Sequence, residues 1–468
     1  MKHHARFLLL VGAPLWLGCC GLDGVAGAGA PAAVEAVAEA RSASPPSRAI
    51  NEQVGNEILD WNQALLAAIK AGNLSNPQTI RMAATVNVVM FDARQSIERT
   101  YTPILLVDQA PANADPGAAA VQAAYVSLKS FYPDQASSFD KQRSLSLAAF
   151  SDADPLRVQR GLAWGDAVAQ QLLAWIAADG FSLSVAPFSG SGAAVGQWQS
   201  VTGESMSQAN LAKTRPFVLK SNKQFQAAFP RPWASLSSSR YAADFNEVVR
   251  IGAKESALRT PDQTRVAYFF NGYATSDYIE AALQIARSRH TSASELSRLM
   301  ALLTVAMHDT SVTVFRAKRD FATQPGEVTW RPIVAIAQAD LDGNPQTRAV
   351  QDWTPLIKTP NHPEYPASHP ASHGAGARVL QHFFGDQHSF ELQPVFNAVF
   401  PAPSGVAVPA RRYTRLSAMA KDGIDARTYG GMHFRSSSEA SARVGALIAD
   451  YVLKHAATAR LDQSRRGG

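Results

Sequence analysis

From Ile50 onward, apolar residues return at three- and four-residue intervals, so that Val54, Ile58, Trp61, Leu65 and Ile69 share one face of a helix. Pro77 opens a second helix carrying Met82, Val86, Val89 and Met90, since proline suits a first turn whose N–H has no partner. The same periodicity predicts helices over 117–131, 136–149 and 156–178, the last stopped by Asp179-Gly180. Between 180 and 235 it dissolves into Gly, Ser and Pro with isolated aromatics, which predicts a long irregular connection of the kind that lines or covers a site. Helices resume over 239–254, 262–271, 277–289 and 293–319. An apolar stretch and a Pro-rich loop follow Trp330, and further helices are expected near 371–384, 411–425 and 436–455. No run alternates convincingly enough to be a strand. The expectation is an all-α protein, a multi-helix bundle of about a dozen helices with long irregular loops.

The ends follow other rules. Residues 1–30 combine a charged start (Lys2, Arg6), a mostly apolar Phe7–Leu17 run and small residues around Ala26-Gly27-Ala28, which is the pattern of a cleaved signal peptide. They predict export, periplasmic or secreted. Cys19 after Leu17-Gly18 weakly resembles a lipoprotein processing site, but Trp16 fits that pattern poorly. Residues 31–49 read as a flexible linker and 457–468 as a disordered tail. Residues 50–456 form one helical domain, with an N-terminal half at 50–180, a loop-rich 181–235 and a second half at 236–456 that carries the chemistry.

Composition narrows the picture. With 46% hydrophobic and 18% charged residues, the 468-residue chain is ordinary for a soluble globular protein. Its net charge of +6 comes without a Lys/Arg block, so nucleic-acid binding is not suggested, whereas a basic pocket for an anion is compatible with it. Both cysteines, Cys19 and Cys20, lie in the leader, which leaves the mature chain without a thiol nucleophile, disulfide or cysteine metal site. Beyond the leader, the nearest approach to a spanning segment, Leu299–Phe315, contains His308 and Asp309, so no membrane span is expected in the mature protein.

Three stretches carry candidate chemistry. In the first, Lys318 ends a helix and Arg331 stands beside Trp330 and Pro332; in the third, Arg427 precedes Gly430-Gly431 and His433. The second is HPEYPASHPASHGAGARVL, 362–380, where an extended approach ends at His369 and Pro370 opens a helix. Taken singly, each residue has an ordinary reading: a solvated lysine, a surface ion pair, a neutralised helix end or a helix cap. Together, one Lys, two Arg, two His and two helix starts are the parts of a pocket for a tetrahedral oxyanion. Arginine offers a planar fork to paired oxygens, and free N–H groups at a helix start complete the cage.

The chain resembles the bacterial vanadium-dependent haloperoxidases, within the superfamily that includes type-2 phosphatidic acid phosphatases. The superfamily motifs appear in order as Lys318…Arg331-Pro332, Pro366-Ala367-Ser368-His369, and Ala426-Arg427…His433. Trp61-Asn62, the 80–98 helix with Asp92, Lys213–Phe217 and Tyr241–Glu247 read like the same family. The resemblance implies a peroxidase that holds vanadate and uses hydrogen peroxide to oxidise halide to hypohalous acid, with an organic molecule as a further acceptor. It implies His433 as axial ligand to vanadium, His369 as acid/base, and Lys318, Arg331, Ser368 and Arg427 around the oxyanion. The superfamily also admits a soluble exported acid phosphatase working through a phosphohistidine at His433, and a non-catalytic oxyanion-binding protein. It leaves open the oligomeric state, often a homodimer. Some positions depart from the pattern. Lys318 and Arg331 are thirteen apart instead of seven, so a segment such as 323–329 must loop out, or Arg319 or another cation must replace Lys318. Ala367 stands where a serine is usual, Ser368 where a glycine is, and Ser437 where an aspartate often follows the third-motif histidine. His373, one turn past His369, is a candidate second base or a packed histidine.

Overall fold

The computed structural model describes residues 56–460 except Val107 and 191–193, so the leader, the linker and the last eight residues lie outside the described part of the chain. Helices form close to where apolar periodicity places them. The first five are α1 (Asn56–Ala71), α2 (Asn76–Glu98), α3 (Pro116–Phe131), α4 (Ala136–Ala148) and α5 (Pro155–Ala177). The second set comprises α6 (Ser239–Ile251), α7 (Pro261–Phe269), α8 (Ala274–Ser288), α9 (Ala293–Phe321), α10 (Pro332–Ala337), α11 (Ser368–Phe384), α12 (Leu416–Tyr429) and α13 (Arg435–His455). Their starts are fixed chemically: the side chains of Asp115, Asp154, Ser238, Thr260 and Ser292 each accept a free N–H of the following turn. Of the described residues, 57% are helical.

Helices α2, α3 and α5 pack into one group and α9, α11 and α13 into another, with α2 lying against α9 between them. Each group secures a loop by the same device. Asp92 of α2 accepts the N–H groups of Ile104, Leu105 and Leu106, and Asp309 of α9 accepts those of Phe217, Val218 and Leu219. Three successive amides on one buried carboxylate satisfy backbone that would otherwise lose its water.

The packing of α13 sets the geometry around residue 368. Ser437, Ser441 and Gly445, four apart, lie along one helical face. Ser437 Oγ donates to Glu364, and Ser441 Oγ accepts the Ala367 N–H at 2.8 Å. At Gly445 an added Cβ would stand 1.9 Å from the Ala371 carbonyl oxygen, so α13 and α11 meet backbone to backbone. Gly374 answers it, with a Cβ position 2.0 Å from the Ala442 oxygen.

Two expectations are corrected. Residues 411–415 are not helical: strand β2 (Arg411–Arg415) pairs antiparallel with β1 (Gln387–Leu392), Tyr413 opposite Phe390, and α12 begins only at Leu416. Tyr413 is the buried member of β2, and its cross-strand aromatic pairing accounts for the strand. Helix α11 starts at Ser368 with Ala367 as its cap, not at Pro370. Pro370 is tolerated there because the first N–H groups of a helix have no intrahelical partner.

The extra residues between Lys318 and Arg331 do loop out. Helix α9 ends at Phe321, and the returning segment is fastened where the Gly196 carbonyl accepts the N–H of Thr329 and of Trp330. Residues 457–460 run beside 100–102, with Ala459 bridged to Tyr101. Among the described residues, no helix is long and apolar enough to cross a membrane.

Candidate oxyanion site

A cavity of about 670 Å³ opens where the starts of α11 and α13 approach the end of α12. Ser368, His369, Arg427 and His433 line it, so residues more than sixty positions apart in sequence face one space. His362 also lines it, and apolar walls come from Phe315, Ile357 and Phe400. Exposed Lys358 and Glu204 belong to its lining as well.

Arg427 is buried yet poorly used. Its Nη1 reaches Asn271 Oδ1 at 3.4 Å, its Nη2 reaches the Met432 sulfur at 3.2 Å, and Nε has no partner among the described residues. A buried guanidinium with idle donors is costly unless something anionic completes it. Burial first, then Arg331, lowers its pKa to about 9. Beside it, the N–H groups of Ser368 and His369 at the start of α11 have no acceptor among the described residues.

His433 is held from both sides. Its Nδ1 lies 2.9 Å from Glu364 Oε1, and its Nε2 lies 3.0 Å from Arg331 Nη1. The same Glu364 oxygen accepts the Phe434 N–H at 3.1 Å and the Ser437 hydroxyl at 2.6 Å. Burial, then the cations Arg331, Lys318 and Arg427, hold the His433 pKa well below the histidine range. His369 directs Nε2 at the Gly272 carbonyl, 3.0 Å away. A carbonyl only accepts, so Nε2 carries the proton and Nδ1 the lone pair. Burial and Arg427 hold His369 neutral too.

Lys318 and Arg331 stand behind the cavity wall instead of on it. Lys318 is fully buried, and its ammonium donates to the Pro363 and Glu364 carbonyls, so it braces the loop that carries Glu364. Burial, reinforced by Arg331, pushes its pKa well down while Glu364 pulls it up. Arg331 donates through Nε to the His362 carbonyl and through Nη2 to His362 Nδ1, each at 2.8 Å, while Nη1 also reaches the Met432 carbonyl. Arg319 reaches instead toward the Ala186 carbonyl, so it does not replace Lys318. His373 is no second base: it is fully buried between Phe270, Tyr278 and Gly423, outside the cavity.

Sequence reasoning missed Glu364 and His362. The signal for the first was a lone carboxylate set between two prolines, directly ahead of the second motif and amid three stretches of cations. Burial raises its pKa, opposed by Ser437, Arg331 and Lys318.

Residues 298–460 match the family model of the VCPO second helical-bundle domain. Over most of its length the chain shares the fold of the first bacterial vanadium-dependent iodoperoxidase, at 20% identity and TM-score 0.70, covering 87% of this chain and 98% of that one. It is similar in fold to an apo-type bacterial vanadium-dependent chloroperoxidase (15% identity, TM-score 0.62, covering 80% of this chain and 94% of that one). A holo-type chloroperoxidase gives 14% identity and TM-score 0.63, covering 86% and 98%. No curated protein matches the chain by sequence.

Proposed function

We propose that this protein is a vanadate-dependent peroxidase that oxidises halide with hydrogen peroxide. The observation that carries the reading is the convergence, on one cavity, of an under-used buried guanidinium, a bare helix start and the imidazoles of His369 and His433. That donor set fits an oxyanion that also accepts a nitrogen ligand. Arg427 and the Ser368 and His369 N–H groups hold oxygens, and His433 Nε2 supplies the nitrogen. Arg331, bonded to Nε2 and to His362, would place its positive charge next to the ring that takes the anion. Vanadate in this cage supplies a Lewis-acid centre that makes peroxide electrophilic toward halide. His369 Nδ1 takes a proton from hydrogen peroxide and returns it to the departing water, while Nε2 stays anchored on Gly272. Lys318 acts from behind, as a buried charge that steadies the loop and offsets the anion.

The test is halogenation. Protein loaded with orthovanadate is expected to brominate or iodinate a phenol only when peroxide and halide are both present, and His433→Ala is expected to lose at least about 100-fold of that activity. Hydrolysis of a chromogenic phosphate ester by vanadate-free protein, without halogenation, would replace this reading with a phosphatase. Tight oxyanion binding with neither activity would leave a binding protein.

A further inference from the structure

We infer that Glu364 is the positioning carboxylate of this site: it fixes His433 as the Nδ1–H tautomer and sets how strongly Nε2 holds an oxyanion that takes a nitrogen ligand. The inference rests on the oxyanion reading above and adds to it a residue from a different loop, 69 positions away in sequence.

Two independent lines fix the tautomer. The Phe434 N–H can only donate, and it shares Glu364 Oε1 with the Ser437 hydroxyl and with His433 Nδ1. An oxygen that receives an amide and a hydroxyl is an acceptor, so Nδ1 must bring the proton. At the other end, Arg331 Nη1 can only donate, so Nε2 must bring the lone pair. Both ends of the ring give one answer.

The elements around Glu364 are built to hold it. The residue is fully buried, its N–H is bonded to the Thr329 carbonyl at 2.8 Å, and its own carbonyl accepts from Lys318. Ser437 presses on Oε1 from the α13 face that also holds Ala367 and Ala371. A carboxylate behind an imidazole N–H makes the opposite nitrogen a better donor, and losing such a partner typically costs about 10–100-fold in affinity.

Charge gives the test its direction. Arg331 and Arg427 bring positive charge to the cage, Lys318 adds to it, and the Glu364 carboxylate offsets part of it. Glu364→Gln therefore raises the positive charge of the cage while weakening Nε2. Orthovanadate takes a nitrogen ligand; resting phosphate is held by charge and hydrogen bonds alone. The two anions should respond oppositely, which no merely structural defect would produce.

Equilibrium binding of orthovanadate and of inorganic phosphate is measured on the full chain, with circular dichroism and thermal unfolding to verify the fold. In Glu364→Gln, vanadate affinity is expected to fall about 10–100-fold while phosphate affinity is unchanged or higher. The vanadate loss should vanish in a His433→Ala background, because Glu364 acts through that ring. Ser437→Ala, which leaves the carboxylate in place, should give a smaller loss of the same sign. Equal losses for both anions, or an unchanged vanadate affinity, would overturn the inference. Binding of neither anion by the wild-type protein would overturn the oxyanion reading and this inference with it.

Discussion

At the scale of single residues, burial decides which imidazoles can titrate. His373 is fully enclosed, with Nε2 lacking any partner among the described residues, and burial followed by Arg427 lowers its pKa to about 3. The unfolded chain binds a proton at this residue below about pH 6.5 and the folded chain does not. Stability is therefore lost as pH falls from about 6.5 through about 3, by on the order of 4–5 kcal/mol in total. In His373→Met, the curve of unfolding free energy against pH should be flatter over that window, which urea titrations at half-unit steps would read. A steeper curve in the variant would contradict the burial argument. The sequence offered His373 as a packed residue or a base, and helical spacing could not choose, because both readings put it one turn past His369. What decides is Gly423, whose missing side chain leaves room for the ring, and that contact crosses between helices. Glu364 escaped for a related reason: its three donors come from 433–437, and nothing local to 364 announces them.

At the scale of elements, the crossing of α11 and α13 links stability to the site. Gly445→Ala places a carbon 1.9 Å from the Ala371 oxygen, and only a shift of one helix relieves it. Overpacking of this kind costs about 1–3 kcal/mol. Because α11 begins with Ser368 and His369, the shift should also weaken oxyanion binding. Urea unfolding and vanadate binding measured on the same variant would show both losses, and a stability loss with unchanged binding would separate crossing from site. The helices themselves were largely legible, because their apolar periods and caps are local. The hairpin was not: β2 has five residues, its partner ends nineteen positions earlier, and a register across that gap has no local signature.

At the scale of the whole molecule, the cage is assembled from loops around 331, 362–369 and 427–433, which only the folded chain brings together. An anion bound there stabilises the native state alone. Orthovanadate at about 100 times its dissociation constant should add about 2.7 kcal/mol, seen as a rise in melting temperature, and Arg427→Ala should abolish most of that rise. A rise that survives in Arg427→Ala would place the anion elsewhere. The motif residues could be read because their types and order are unusual. Their division of labour could not, since whether Lys318 lies on the wall or behind it depends on where the Pro363 and Glu364 carbonyls point. The face of α13 bearing Ser437, Ser441 and Gly445 has an implication for how such a chain can vary. One residue inserted or deleted between 438 and 440 would rotate Ser441 and Gly445 about 100° around the axis relative to Ser437. Carboxylate, cap and neighbouring backbone would then lose their common footing in one step, so substitutions on the other faces of this helix are open to drift while changes in its length are closed.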